Sequence, residues 1–140
     1  MQYPEIKKIC CYGAGLIGAG WATSFSIKGI EVCMYEQSAE SIEKAKEHLE
    51  RNYSVMVEGK LISKEEAEAA KKLIHCSLNI KEALSGVQYV QESVNERYEI
   101  KEQVFKSIDK YCGSEVIIGS SSSSLLISKM AEFSKYPQRC

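Results

Sequence analysis

The sequence predicts an α/β domain, a doubly wound, mostly parallel sheet with an inserted helical hairpin after the second strand. Three observations predict it. Short apolar runs of strand length alternate with segments whose apolar residues recur every three or four positions. A glycine-rich turn joins the first run to the first helical segment. The alternation breaks once, between residues 38 and 74, where a charged amphipathic pattern takes over.

Residues 6–12 form a mostly apolar run ending at a glycine cluster, as a buried strand of a parallel sheet would. A helix is predicted over 16–28, where Ala19, Ala22, Phe25 and Ser26 share a face and Gly29 is placed to end it. Residues 30–36 then read as a second strand. Strand, turn, helix and strand make one βαβ unit, and the right-handed crossover rule turns it into two parallel neighbours. In the charged segment Ile42, Ala45, Leu49 and Met56 lie on one stripe, and Ser63-Lys64-Glu65-Glu66 has the form of a capping box that starts the second arm of a hairpin. Strands are predicted over 76–80 and 87–91. A helix follows over 96–111 with Ile100, Val104, Ile108 and Tyr111 inward and Gly113 at its end. A strand over 116–119 and a last helix over 125–133 complete the series.

With 140 residues, 44% of them hydrophobic, the chain reads as one domain, 1–140. Its 18 basic and 19 acidic side chains are interspersed, for a net charge of −1, which provides no basic surface for a nucleic-acid backbone. Nucleic acid is therefore not an expected partner. No apolar run approaches the roughly 20 residues that cross a bilayer, and the start lacks a charged region followed by an apolar one. A soluble, cytoplasmic protein with no membrane partner is expected. Cys10, Cys11, Cys33, Cys76, Cys112 and Cys140 are scattered without a C-x-x-C pair, so reduced thiols are expected and no metal site.

Gly13-Ala14-Gly15-Leu16-Ile17-Gly18 matches G-x-G-x-x-G. In that pattern the first glycine makes the tight turn, the second lets a pyrophosphate approach the backbone, and the third allows close helix-to-strand contact. The free N–H groups and positive dipole end of the following helix suit the phosphates. The hexapeptide alone is weak evidence. Here it leaves a predicted strand, opens a predicted helix and precedes Glu36 at the end of the second strand, where a carboxylate can accept from both hydroxyls of an adenosine ribose. The same carboxylate would repel a 2′-phosphate, so NAD is favoured over NADP. Read blandly, Glu36 is a solvated strand-end acid. A site for S-adenosylmethionine fits the three-glycine loop and Glu36 less well. Together these features predict a Rossmann-type fold.

Two later segments narrow the reading. They are residues 90–96 (Val-Gln-Glu-Ser-Val-Asn-Glu) leading into Lys101, and residues 118–125 with five consecutive serines, Ser120 to Ser124. With the glycine loop and Trp21, they make the chain resemble the NAD-binding domain of the 3-hydroxyacyl-CoA dehydrogenase family over essentially its whole length. The serine run and Trp21 look most like the λ-crystallin and L-gulonate 3-dehydrogenase branch. The resemblance implies that Glu36 holds the adenosine ribose, Glu96 and Lys101 serve the cofactor's nicotinamide half, and Ser123 meets both cofactor and the substrate's reacting oxygen. Ser121 occupies the place of the family's usual asparagine. A hydroxyl beside the hydride path can donate to a developing alkoxide or carbonyl oxygen. The bland alternatives are a flexible polar turn for the serines and ordinary helix-start charges on an exposed face for Glu96 and Lys101. Arg97 stands where the family often has asparagine.

The implied activity is oxidation of a 3-hydroxyl of a small-molecule substrate, an acyl-CoA or a related hydroxy acid, to a ketone. A non-catalytic, crystallin-like NAD-binding protein is the alternative. The family's His-Glu pair would lie beyond Cys140, as would the helical domain that forms its homodimer, so NAD binding with little turnover is expected of these residues. An exposed apolar patch is expected over 125–130. His48 and His75 read as surface or boundary residues. The family's CoA-holding serine and lysine align with Asn52 and Gly59, which match neither, although Lys60 is adjacent.

Overall fold

The computed structural model describes residues 5–140; residues 1–4, part of the start examined for a leader pattern, lie outside them. Five strands, β1 (Lys8–Tyr12), β2 (Glu31–Tyr35), β3 (Ile74–Ser77), β4 (Tyr89–Glu92) and β5 (Ile117–Ser120), form one sheet in the order β3-β2-β1-β4-β5. Every pairing is parallel, with Cys10 opposite Cys33 on one side and Val90 on the other. Strand order reverses between β1 and β4, which opens a crevice at the carboxyl ends of the central strands.

Helices cover both faces. On one lie α1 (Leu16–Ser26) and the hairpin of α2 (Ala39–Glu58) and α3 (Lys64–Lys71). Their small and apolar side chains Ala19, Ala22, Ala45, Leu49, Tyr53, Ala67 and Ala70 pack on Cys11, Val32 and Met34. The predicted stripe held at Ala45 and Leu49, but its last core position is Tyr53, not Met56: the Tyr53 hydroxyl pairs with Ser26 at 2.6 Å, joining α2 to α1. Ser63 and Glu66 form the predicted capping box. The other face carries α4 (Ile80–Ala83), α5 (Tyr98–Tyr111) and α6 (Ile127–Ala131), with Val104, Phe105, Ile108 and Met130 against Cys10, Val90 and Ile118. Each large apolar side chain so buried contributes about 1.5–3 kcal/mol.

Several predicted elements moved. The third strand stops at Ser77 because Asn79 accepts from the Lys81 and Glu82 amides and starts α4, so Ile80 opens a helix instead of closing a strand. The fifth helix begins at Tyr98, not Glu96, which leaves 93–97 as a loop over the sheet end. Met130 is buried by its packing, so the expected apolar patch is confined to Leu126 and Ile127, which are 67% and 44% exposed. All six cysteines are free thiols. Burial drives Cys10 well above an ordinary thiol, Cys11 to about 12 and Cys33 to about 11. Among the described residues no cluster of His, Cys, Asp or Glu is placed to hold a metal ion, and no helix is long and apolar enough to cross a membrane. His48 is half-buried on α2, and His75 is exposed within β3.

Candidate functional site

The chain leaves β1 at Tyr12 and turns at Gly13, whose φ of +93° lies in the left-handed region. A Cβ there would also stand 3.0 Å from the carbonyl of Ser93. At Gly18 a Cβ would fall 1.9 Å from the Gly13 carbonyl oxygen. The third glycine therefore lets α1 start against its own loop, not against a strand as the pattern suggested. Gly15 is the opposite case, since a Cβ there would meet nothing within 4 Å. The space before α1 is open. That helix begins with no side-chain cap and no acid in its first turn, so its first amides have no partner within the helix and suit a phosphate.

Glu36 follows β2 beside this loop. Its Oε1 accepts from the Ala14 amide at 2.6 Å, while Oε2 has only a 3.4 Å approach from the Gln37 amide. One carboxylate oxygen thus ties the glycine loop to β2, and the other is left to accept hydroxyls. Glu36, Gly13, Gly15, Tyr12, Tyr35, Ser93 and Asn95 share a cleft of about 340 Å³. Its floor is the edge-to-face pair of Tyr12 and Tyr35, with ring centroids 4.8 Å apart. A larger hollow of about 550 Å³ between α2 and β3 holds none of the predicted site residues. We assign the site to the smaller cleft because the glycine loop and Glu36 open into it.

Across the crevice, the serine run is an organised loop and not a flexible turn. Ser120 Oγ donates to Glu92 Oε2 at 2.6 Å; Ser122 and Ser124 donate to Glu96 at 2.6 and 3.1 Å. Ser121 Oγ meets three groups, Trp21 Nε1, Gln91 Nε2 and Ser93 Oγ, at 3.1, 2.9 and 2.8 Å. Ser123 is exposed and, alone in the run, has no hydrogen-bond partner among the described residues. Hydrogen bonding from Ser122, ahead of the nearby Lys101 charge, holds the Glu96 carboxyl below the ordinary glutamate range.

Lys101 departs from the bland alternative of an ordinary lysine on an exposed face. Its side chain is 0% exposed and bonds both oxygens of an equally buried Glu92 at 2.8 and 2.9 Å. It also donates to the Val94 carbonyl at 3.2 Å and lies 3.7 Å from Glu96. The Glu92 carboxylate also accepts the Val94 amide at 2.6 Å. Lys101 and Glu92 therefore clamp loop 93–97 and the end of β5 together.

Sequence reasoning missed Gln91, Glu92 and Ser93 as individual site residues. A signal existed: Gln91 and Glu92 are polar residues closing an otherwise apolar strand at the sheet edge where ligands bind. Trp21 was singled out only as a mark of resemblance, and its indole N–H bond to Ser121 depends on side chains 100 positions apart.

A parallel sheet whose crevice is flanked by an uncapped helix start, an open glycine and a strand-end carboxylate is a dinucleotide-binding domain. The comparisons with known proteins agree. The profile of the family described as "3-hydroxyacyl-CoA dehydrogenase, NAD binding domain" matches residues 8–140, and this chain belongs to that family. It is 34% identical over 137 residues to an L-carnitine dehydrogenase/betainyl-CoA thioesterase of Rhizobium sp, covering 96% of this chain and 26% of that protein. It is 33% identical to the lambda-crystallin homolog of Rattus norvegicus, covering 100% of this chain and 44% of that protein. The (S)-3-hydroxybutyryl-CoA dehydrogenase of Ralstonia eutropha superposes with a TM-score of 0.90 at 26% identity, over 96% of this chain and 47% of that one. The chain thus spans less than half the length of each. The cofactor of the domain is NAD, and the residues present fit it: the glycine loop leaves room for a pyrophosphate and Glu36 Oε2 is open to a ribose.

Proposed function

We propose that this chain is the cofactor-holding part of an NAD-dependent oxidoreductase that oxidises a 3-hydroxyl of a small-molecule substrate to a ketone. The observation that carries the reading is the cleft shared by the glycine loop, Glu36 and Ser93, with Ser93 joined through Ser121 to a serine loop in which only Ser123 is left unengaged. Bound NAD supplies the hydride acceptor. The first-turn amides of α1, at Gly15, Leu16, Ile17 and Gly18, hold the pyrophosphate with Gly13 and Ala14 shaping the turn. Glu36 accepts the adenosine ribose hydroxyls and rejects a 2′-phosphate. Glu96 borders the nicotinamide half, and Lys101 acts from beneath it by fixing the loop that carries Glu96. Ser123 donates to the substrate oxygen, where a hydrogen bond strengthens as charge develops. Ser121 serves the cofactor by ordering its neighbours.

One observation favours a small hydroxy acid, of the carnitine or sugar-acid kind, over an acyl-CoA. Asn52, at the position of the family's CoA-holding serine, donates to Thr23 Oγ1 at 3.1 Å within the α1–α2 packing, and Gly59 offers no side chain at the second position. A non-catalytic, crystallin-like NAD-binding role would use the same cofactor cleft. The deciding experiment is parallel calorimetric titration with NADH and NADPH, with Glu36→Ala as control. Binding of NADH alone, weakened at least tenfold in the variant, supports the reading; equal binding of NADPH, or no binding of either, refutes it.

A further inference from the structure

The three contacts of Ser121 have a direction. A hydroxyl oxygen accepts two hydrogen bonds and donates one. Trp21 Nε1 can only donate, and it takes one acceptor position on Ser121 Oγ. Gln91 Nε2 takes the other. In that orientation the Gln91 Oε1 accepts from the Tyr89 hydroxyl at 2.6 Å. Tyr89 in turn lies over Gly119, where a Cβ would fall 1.9 Å from its hydroxyl oxygen. With both acceptor positions filled, Ser121 must give its proton to its third neighbour, Ser93 Oγ, 2.8 Å away. Ser93 Oγ accepts that proton, and its own has no partner among the described residues.

Ser93 lines the cleft. Its amide is anchored to the Tyr12 carbonyl at 2.9 Å, and its carbonyl lies against Gly13. It stands on the β4 side of the glycine loop, across the loop from Glu36. We propose that Ser93 is a cofactor-recognition residue whose proton is aimed into the cleft by Tyr89, Gln91, Trp21 and Ser121, and that it donates to an oxygen of the nicotinamide-ribose half of the dinucleotide. This rests on the NAD reading with Glu36 at the adenosine end. Ser121, Gln91 and Trp21 are then positioning residues that set the polarity of one donor.

The test compares NADH with ADP, which retains the adenosine end and two phosphates but lacks the nicotinamide ribose. Calorimetric titration is run on the wild type, Ser93→Ala and Ser121→Ala. Loss of one such hydrogen bond is expected to weaken NADH roughly three- to tenfold in Ser93→Ala. Ser121→Ala, which frees the Ser93 proton to turn away, moves NADH affinity in the same direction. ADP affinity stays within twofold throughout and reports that the variants are folded. The proposal is overturned if Ser93→Ala leaves NADH binding unchanged, if it weakens ADP equally, or if the wild type binds the two ligands alike. A wild type that binds neither ligand instead rejects the cofactor reading itself.

Discussion

Replacing Lys101 by methionine keeps most of the side-chain volume and removes the charge from the most enclosed ion pair among the described residues. Both partners are 0% exposed, and the Glu92 carboxylate would keep only the Val94 amide and the Ser120 hydroxyl, two neutral donors. Breaking such a pair on one side costs about 3–5 kcal/mol, because the remaining charge is left uncompensated. Against a total stability of about 5–15 kcal/mol for a domain of this size, that is a large fraction. At about 2 cal/mol/K of unfolding entropy per residue, it corresponds to a melting temperature lower by roughly 10–17 °C. The assay is urea unfolding followed by the fluorescence of Trp21, the single tryptophan. Glu92→Gln paired with Lys101→Met should recover at least half of the loss, since a neutral amide needs no counter-charge. A cost below about 1 kcal/mol for Lys101→Met, or a double variant no better than the single one, would refute the reasoning.

Gly18→Ala should abolish NADH binding while leaving the sheet folded by circular dichroism, because a methyl group 1.9 Å from the Gly13 carbonyl oxygen must push the loop off the start of α1. Glu96 sits below the ordinary glutamate range in the folded chain, so its contribution to stability is complete above the unfolded value near 4.5 and is lost as pH falls through the lower folded value. Glu96→Gln should therefore flatten the acid limb of stability measured by urea unfolding below about pH 4.5. Cys10 and Cys11, fully buried and with Cys11 pushed up to about 12, should resist an aromatic disulfide reagent at pH 8 until urea unfolds the chain.

Much of the fold was legible because its determinants are local. The alternating strand and helix periods, the capping box at Ser63 and the glycine signature at 13–18 each lie within a few residues, and each appeared close to where it was expected. Boundaries slipped where one side chain competed with a period, as when Asn79 capped α4 and ended β3 early. Glu36 was legible too, since its meaning depends only on its place after one strand and one loop.

The polar wiring of the site was not legible. Lys101 reads in sequence as an ordinary lysine of an amphipathic helix; only the approach of β4 to α5 encloses it with Glu92. The five serines are identical in composition, yet the folded chain gives them different duties, tying Ser120 to Glu92, Ser121 to Trp21, Gln91 and Ser93, and Ser122 and Ser124 to Glu96, while Ser123 stays open. Sequence by itself determined the sheet, the crevice and the cofactor class, because backbone conformation and hydrophobic period are properties of short segments. Which hydroxyls and charges face the crevice was decided only by tertiary structure, because a hydrogen bond needs its two atoms within about 3 Å and those atoms come from α1, β4, α5 and β5 at once.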